Sequence, residues 1–207
     1  MKICYLLPTL GIGGAERIVT QLASGVSADN HVDAVNLVCI FETKSEIRFD
    51  DKNFSVIRLS TTIRKKIKAV FSVNKFLFSS RPSVVHTHLS SIIYSLPYIL
   101  IGKIFGLSKF FHTIHNEFEK DAPGILRYIY NICFKLKLVT PIFLSNSIAD
   151  KEKCRFKKIK YFIIPNGVEE IKATEKIYSV KSELDKYKMI WVLEVFFALP
   201  EYILKKI

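Results

Sequence analysis

Cysteine is sparse and scattered along this chain. Cys4, Cys39, Cys133 and Cys154 form no CxxC pair, which excludes a metal knuckle or dithiol redox motif, and their spacing suggests no dense disulfide framework. Such usage fits a reducing cytosol. Glycine and proline number only 8 and 7 in 207 residues, too few for collagen-like or low-complexity architecture. Acidic residues are short as well: 19 Asp and Glu against 31 Lys and Arg leave a formal net charge of +12. Anionic partners are therefore favoured, whether nucleic acid, anionic lipid or phosphorylated ligand. No recognised nucleic-acid-binding motif accompanies the charge, and nucleic acid is not expected as a partner. The longest apolar stretch, residues 92–107, is interrupted by Pro97 and Lys103 and falls short of the ~20 residues that span a bilayer. The apolar start runs into a glycine loop without a small-residue cleavage site, so it reads as a first strand and not a signal peptide.

What is present is a core. Hydrophobic residues make up 49% of the sequence, and a chain of this length buries roughly 70% of its unfolded surface, as one large domain or two small ones. Short β-rich runs alternate with longer helical patterns, the signature of a parallel sheet with helices on its faces. Strands are expected at residues 2–7, 32–41, 55–59, 83–86, 109–113, 142–145 and 161–164. Helices are expected at 15–24, 62–79, 91–105 and 125–138. The turn Pro165-Asn166-Gly167 then marks a domain boundary, and the charge-rich residues 169–188 read as a linker or peripheral helix.

Chemistry concentrates at the strand ends. After the first strand, Gly11-Ile12-Gly13-Gly14-Ala15-Glu16-Arg17 opens a helix, where glycine allows close backbone approach and the free N–H groups favour phosphate. The spacing is neither GxGxxG nor a P-loop, and glycines at such a turn can equally be structural. His86 and His88, two apart on one strand, share a face that could hold a metal. No third ligand is apparent, so a structural or substrate-contact role is expected and no metal. His115 ends the following strand. Arg64, Lys65, Lys66 and Lys68 head a helix that also carries Ile67 and Phe71, suited either to an anionic membrane or to a solvated basic face over a packed one. Residues 92–107 and 125–138 offer further apolar surface, but their expected place is the core.

Four segments, in order, resemble the N-terminal domain of family-4 retaining glycosyltransferases, enzymes with two facing Rossmann-like domains (the GT-B fold). They are Gly13-Gly14-Ala15-Glu16-Arg17, Val84-Val85-His86-Thr87-His88, Thr113-Ile114-His115-Asn116, and Leu144-Ser145-Asn146-Ser147 with Ile164-Pro165-Asn166-Gly167-Val168. The resemblance implies an α/β fold, the N-terminal half of a GT-B architecture over residues 1–168, with 169–207 beginning the second domain. It implies that Gly13 and Gly14 lie against the donor diphosphate or the reacting sugar, and that His115 stands beside the acceptor or transferred sugar as the catalytic-cleft histidine. His86, His88, Asn116 and Asn166 join the substrate-binding set.

The implied activity is sugar transfer from a nucleotide-sugar donor to a glycan or lipid-linked acceptor, as in cell-surface polysaccharide or glycolipid synthesis. No cofactor is implied, the nucleotide-sugar being substrate. The expected location is cytoplasmic, peripheral on the inner face of the membrane. Residues 188–207 are expected to be read out of frame, because suitable codons shifted by one base resemble the family's first strand of the second domain. On that expectation this chain alone lacks appreciable turnover. A non-catalytic membrane- or acceptor-binding remnant is the alternative; a nicotinamide-dependent oxidoreductase is disfavoured by the glycine spacing.

Overall fold

The computed structural model describes residues 1–47, 53–62, 65–156 and 159–165. Met1–Ile163 forms one compact unit; a second begins at Ile164, and beyond Pro165 it lies outside the described residues, together with Asn166 and the rest of the expected boundary. The element order is β1 (Lys2–Leu7), α1 (Gly14–Ser27), β2 (Ala34–Phe41), β3 (Ser55–Thr61), α2 (Lys66–Ser80), β4 (Val84–His88), α3 (Ser91–Ile104), β5 (Lys109–Ile114), α4 (Phe118–Asp121), α5 (Ile125–Lys135), β6 (Thr140–Phe143), α6 (Asn146–Phe156) and β7 (Phe162–Ile163).

Among the described residues seven strands pair in parallel, in the order β3-β2-β1-β4-β5-β6-β7. This is the α/β Rossmann-like sheet expected, its strand order reversing between β1 and β4. Such a reversal opens a crevice beyond the carboxyl ends of the strands, where ligands of these sheets bind. The central strands β1, β4 and β5 are buried on both faces, as parallel sheets require, whereas the edge strands β3 and β7 are only partly covered. One face, including Cys4, Leu6, Val38, Ile40, Val85, Phe110 and Ile114, joins the core with buried residues of α2, α3, α5 and α6. α1 packs on β1 and β2 through Val19, Ala23 and Val26.

β4 and β5 run further than expected, to His88 and Ile114. Polar residues there mask the strand pattern, but their backbones continue the ladder, His86 opposite Phe111 and His88 opposite Thr113. β6 starts earlier, at Thr140, and accommodates Pro141 near its beginning, where a missing N–H is tolerated.

α3 contains Pro97, which cannot donate to the helix ladder. Asn74 of α2 repairs the neighbouring turn. Its Oδ1 accepts the Tyr98 N–H at 2.7 Å, and its Nδ2 donates to the Tyr94 carbonyl at 2.8 Å and the Val70 carbonyl at 2.6 Å. An unbroken helix would join Tyr98 N–H directly to Tyr94 C=O. Here the Asn74 amide of the preceding helix bonds to both groups and clasps α2 to α3.

Candidate functional site

The first half of the loop after β1 is pinned: Phe41 N–H donates to Pro8 O at 2.8 Å and Ile47 N–H to Leu10 O at 3.0 Å. Gly13 caps α1 in an extended conformation, φ −150° and ψ 164°. No positive φ demands glycine there. A Cβ at Gly13 would stand 2.3 Å from Glu16 Oε2, the far end of a flexible side chain folded back toward the helix start. Around Gly14 a Cβ would meet nothing within 4 Å. Both could carry a side chain at little cost to the fold. This contrasts with Gly124, whose φ of 59° does require glycine.

The same carboxyl edge carries the histidines. On one face of the sheet, His86 Nε2 lies 2.7 Å from Thr113 Oγ1, and His88 Nδ1 lies 3.1 Å from His115 Nε2. The His86 and His88 rings stand 4.2 Å apart, with Tyr5 of β1 tilted against both. On the opposite face Thr87 bonds His112, which lies edge-on to Tyr130 with ring centroids 4.5 Å apart. His112, Thr87, Thr113 and Tyr5 were not singled out in the sequence. A fourth histidine three residues before His115 was the available signal.

Burial sets the charge state of the cluster. It drives His88 and His112 well below the ordinary histidine range, His86 to about 3 and His115 to about 4, with mutual repulsion adding to the effect at His86, His88 and His112. All four are neutral at physiological pH. His86 and His88 are buried, whereas His115 is half-buried and Asn116 exposed, so of these four it is the last two that reach the surface beside the crevice. Two strand spacings separate β1 from β5, about 10 Å. Among the described residues no group of three or more His, Cys, Asp or Glu could hold a metal ion. The described cysteines, Cys4, Cys39 and Cys133, are buried and free.

Neighbouring groups hold the strand ends in place. Ser91 Oγ accepts the His88 N–H at 3.0 Å and contacts the carbonyls of Leu6 and His88 at 2.9 and 2.7 Å, tying β1 and β4 to the start of α3. Leu89, between β4 and α3, is left-handed at φ 53°, which costs about 1–2 kcal/mol in an L-residue. The Tyr130 hydroxyl donates to its carbonyl. Below His115, burial raises Asp121 to about 6 against the lowering pull of the His115 and Asn116 backbone N–H groups and the Asn116 side chain.

Lys65, Lys66 and Lys68 are exposed at the start of α2, beside exposed Ile67 and Phe71; Arg64 lies outside the described residues. The expectation that 92–107 and 125–138 are core is corrected in part. Each helix buries one side, while Ile101, Ile104 and Phe105 of the α3 end and Ile125, Tyr128 and Ile132 of α5 are exposed. In α3 the exposed residues were missed because the helix is apolar nearly all round, so its sequence does not mark which side is outer. Among the described residues no helix is long and apolar enough to cross a membrane.

No protein-family model matches this sequence, and no curated protein matches it. Solved structures do. The chain is similar to the apo form of the lipopolysaccharide outer core galactosyltransferase WaaB, with a TM-score of 0.59 at 14% identity over 85% of this chain and 50% of that one. It thus spans half the length of that enzyme. It is also similar to sucrose-phosphate synthase from Thermosynechococcus elongatus, with a TM-score of 0.52 at 13% identity over 91% of this chain and 97% of that one. At these identities the likeness is one of fold.

Proposed function

We propose that this chain is the acceptor-side Rossmann-like half of a family-4 retaining glycosyltransferase, which moves a sugar from a nucleotide-sugar to a glycan or lipid-linked acceptor. The observation that carries the reading is the pair Gly13 and Gly14. The fold requires neither glycine, yet they stand side by side at the start of α1, on the rim of the strand-order reversal. Bare backbone is what close approach of a diphosphate calls for, and the helix start supplies N–H donors and positive dipole where the leaving group gathers charge. His115 and Asn116, two strands away, face the other side of a bound sugar. His86 and His88 back the site from within. The fold shared with a galactosyltransferase and a sucrose-phosphate synthase agrees with this reading.

The test separates fold from ligand. Gly13→Ala and Gly14→Ala, at the cap and first residue of α1, should each leave thermal unfolding within a few degrees of the parent. Titration with nucleotide diphosphate-sugars, followed by amide resonances, should shift Gly13, Gly14, His115 and Asn116 in the parent and lose those shifts in Gly13→Val. Shifts produced only by nicotinamide dinucleotides, or mapping away from this rim, would overturn the assignment.

A lipid-linked acceptor also gives the outer helices a use. Lys65, Lys66 and Lys68 rim the exposed Ile67 and Phe71 on α2, and Lys103 and Lys135 accompany the exposed apolar residues of α3 and α5. Apolar side chains mixed with lysines suit the headgroup region of an anionic leaflet. Each lysine near such a surface contributes about 1 kcal/mol. Replacing Lys65, Lys66 and Lys68 by Gln should therefore weaken binding to phosphatidylserine-containing vesicles by roughly 100-fold. Equal binding of parent and variant, or equal binding to neutral vesicles, would remove the membrane from the proposal.

A further inference from the structure

Counting donors across β4 and β5 fixes where the protons of the histidine cluster reside. Thr87 has one hydroxyl proton and places it on the Phe111 carbonyl, 3.1 Å away. His112 Nδ1, 2.8 Å from the same oxygen, must then be the donor. His112 is thus the Nδ1–H tautomer. Its Nε2 is a buried lone pair with no partner among the described residues.

The same choice arises at His88. Its Nδ1 faces His115 Nε2 at 3.1 Å, and its own Nε2 is buried with no partner among the described residues. Both rings are neutral, so one of the facing nitrogens donates and the other accepts. Were His88 the acceptor, its proton would sit on Nε2, a buried N–H with nothing to receive it. Orphaned buried donors are rarer than under-used acceptors. The proton therefore belongs on Nδ1 of His88, as it does on Nδ1 of His112.

We propose that His88 is a positioning residue that holds His115 in its Nδ1–H tautomer, so that His115 meets a ligand at the strand ends as a hydrogen-bond donor and not as a base. His88 itself, wholly buried, touches no ligand. Its backbone N–H and carbonyl both bond Ser91, which fixes the strand end from which the imidazole projects. The identity of the oxygen that receives the His115 proton, a sugar hydroxyl or a diphosphate oxygen, rests on the glycosyltransferase reading. The tautomer does not.

The experiment is long-range proton–nitrogen correlation spectroscopy on the whole chain labelled with nitrogen-15 histidine, near neutral pH, with signals assigned by single replacements. In the parent, His115 should show a protonated Nδ1 and a bare Nε2, and His88 a protonated Nδ1. In His88→Ala, which opens the space beside His115 Nε2 to water, His115 should gain the Nε2–H form. A parent His115 protonated on Nε2 would overturn the proposal, as would a His115 signal unchanged by His88→Ala in a variant that keeps the parent's far-ultraviolet circular dichroism. If that variant does not fold, the parent spectrum alone decides. Absence of any nucleotide-sugar shift at Gly13 and Gly14 would count against the glycosyltransferase reading and leave the tautomer standing.

Discussion

Lowering the pH from 6.5 to 4 is expected to unfold this protein. The four histidines of β4, β5 and the position just after β5 are held neutral by burial, with folded values below the unfolded value of 6.5. A depressed histidine binds fewer protons folded than unfolded, so its contribution is complete above 6.5 and is lost as pH falls toward the folded value. A tenfold change in proton affinity is about 1.4 kcal/mol, so His115, at about 4, gives up on the order of 3 kcal/mol by pH 4. His86, at about 3, gives up a similar amount. Asp121, raised to about 6, works the other way, binding its proton more tightly in the folded state and gaining as pH falls through 6. One carboxyl does not offset four imidazoles, and typical domains have only about 5–15 kcal/mol to lose. A circular-dichroism titration should place the midpoint between pH 4 and 6.5. His112→Phe, which puts an apolar ring against Tyr130 and Phe134 and leaves the Thr87 bond to Phe111 intact, should move it lower. A native spectrum persisting to pH 4 would show that the cluster takes up protons without cost.

Asn74→Leu is expected to be among the most damaging single replacements in the chain. It strands the Tyr98 N–H and the Tyr94 C=O inside α3, beside Pro97, where the ladder is already broken. Each unsatisfied buried group costs about 1–3 kcal/mol, so the loss should be about 2–5 kcal/mol in denaturant unfolding. Asn74→Asp, which keeps the acceptor for Tyr98 but aims a carboxylate at the Tyr94 carbonyl, should be comparably harmful. A loss below about 1 kcal/mol for Asn74→Leu would mean that α3 closes its own ladder once the amide is gone.

Asn74 also shows where the sequence stops being readable. β1 was legible residue for residue, because an unbroken apolar run ends at Pro8. α3 was legible as a helix despite Pro97. What could not be read was its remedy, since nothing in the local pattern at residue 74 says that its amide reaches another helix. α6 was missed for a different reason. Asp150, Lys151, Glu152 and Arg155 leave no apolar stripe, and chiefly Ala149, Glu152 and Phe156 are buried. At the site, the glycine loop and the strand-end histidines were legible as residue types at strand ends. That the fold itself demands glycine at neither position depended on φ and on the space around each missing Cβ. The pairing of His88 with His115 depended on register between β4 and β5, which are joined by the α3 crossover and so lie beyond the reach of local pattern.

The all-parallel sheet also shapes how the chain must assemble. No two neighbouring strands can be joined by a tight hairpin, and even β2 and β3 are separated by the segment between Phe41 and Ser55. Such non-local pairings form slowly and leave strand edges open in the meantime, when other chains can add to them. The two edges are guarded differently. β7 is only two residues long and offers little to extend. β3 is longer, but Arg58 stands in its middle, engaged by Glu46 at 2.7 Å. Charge at that position discourages edge-to-edge growth, and the surplus of lysine and arginine keeps partly folded copies apart while the sheet closes.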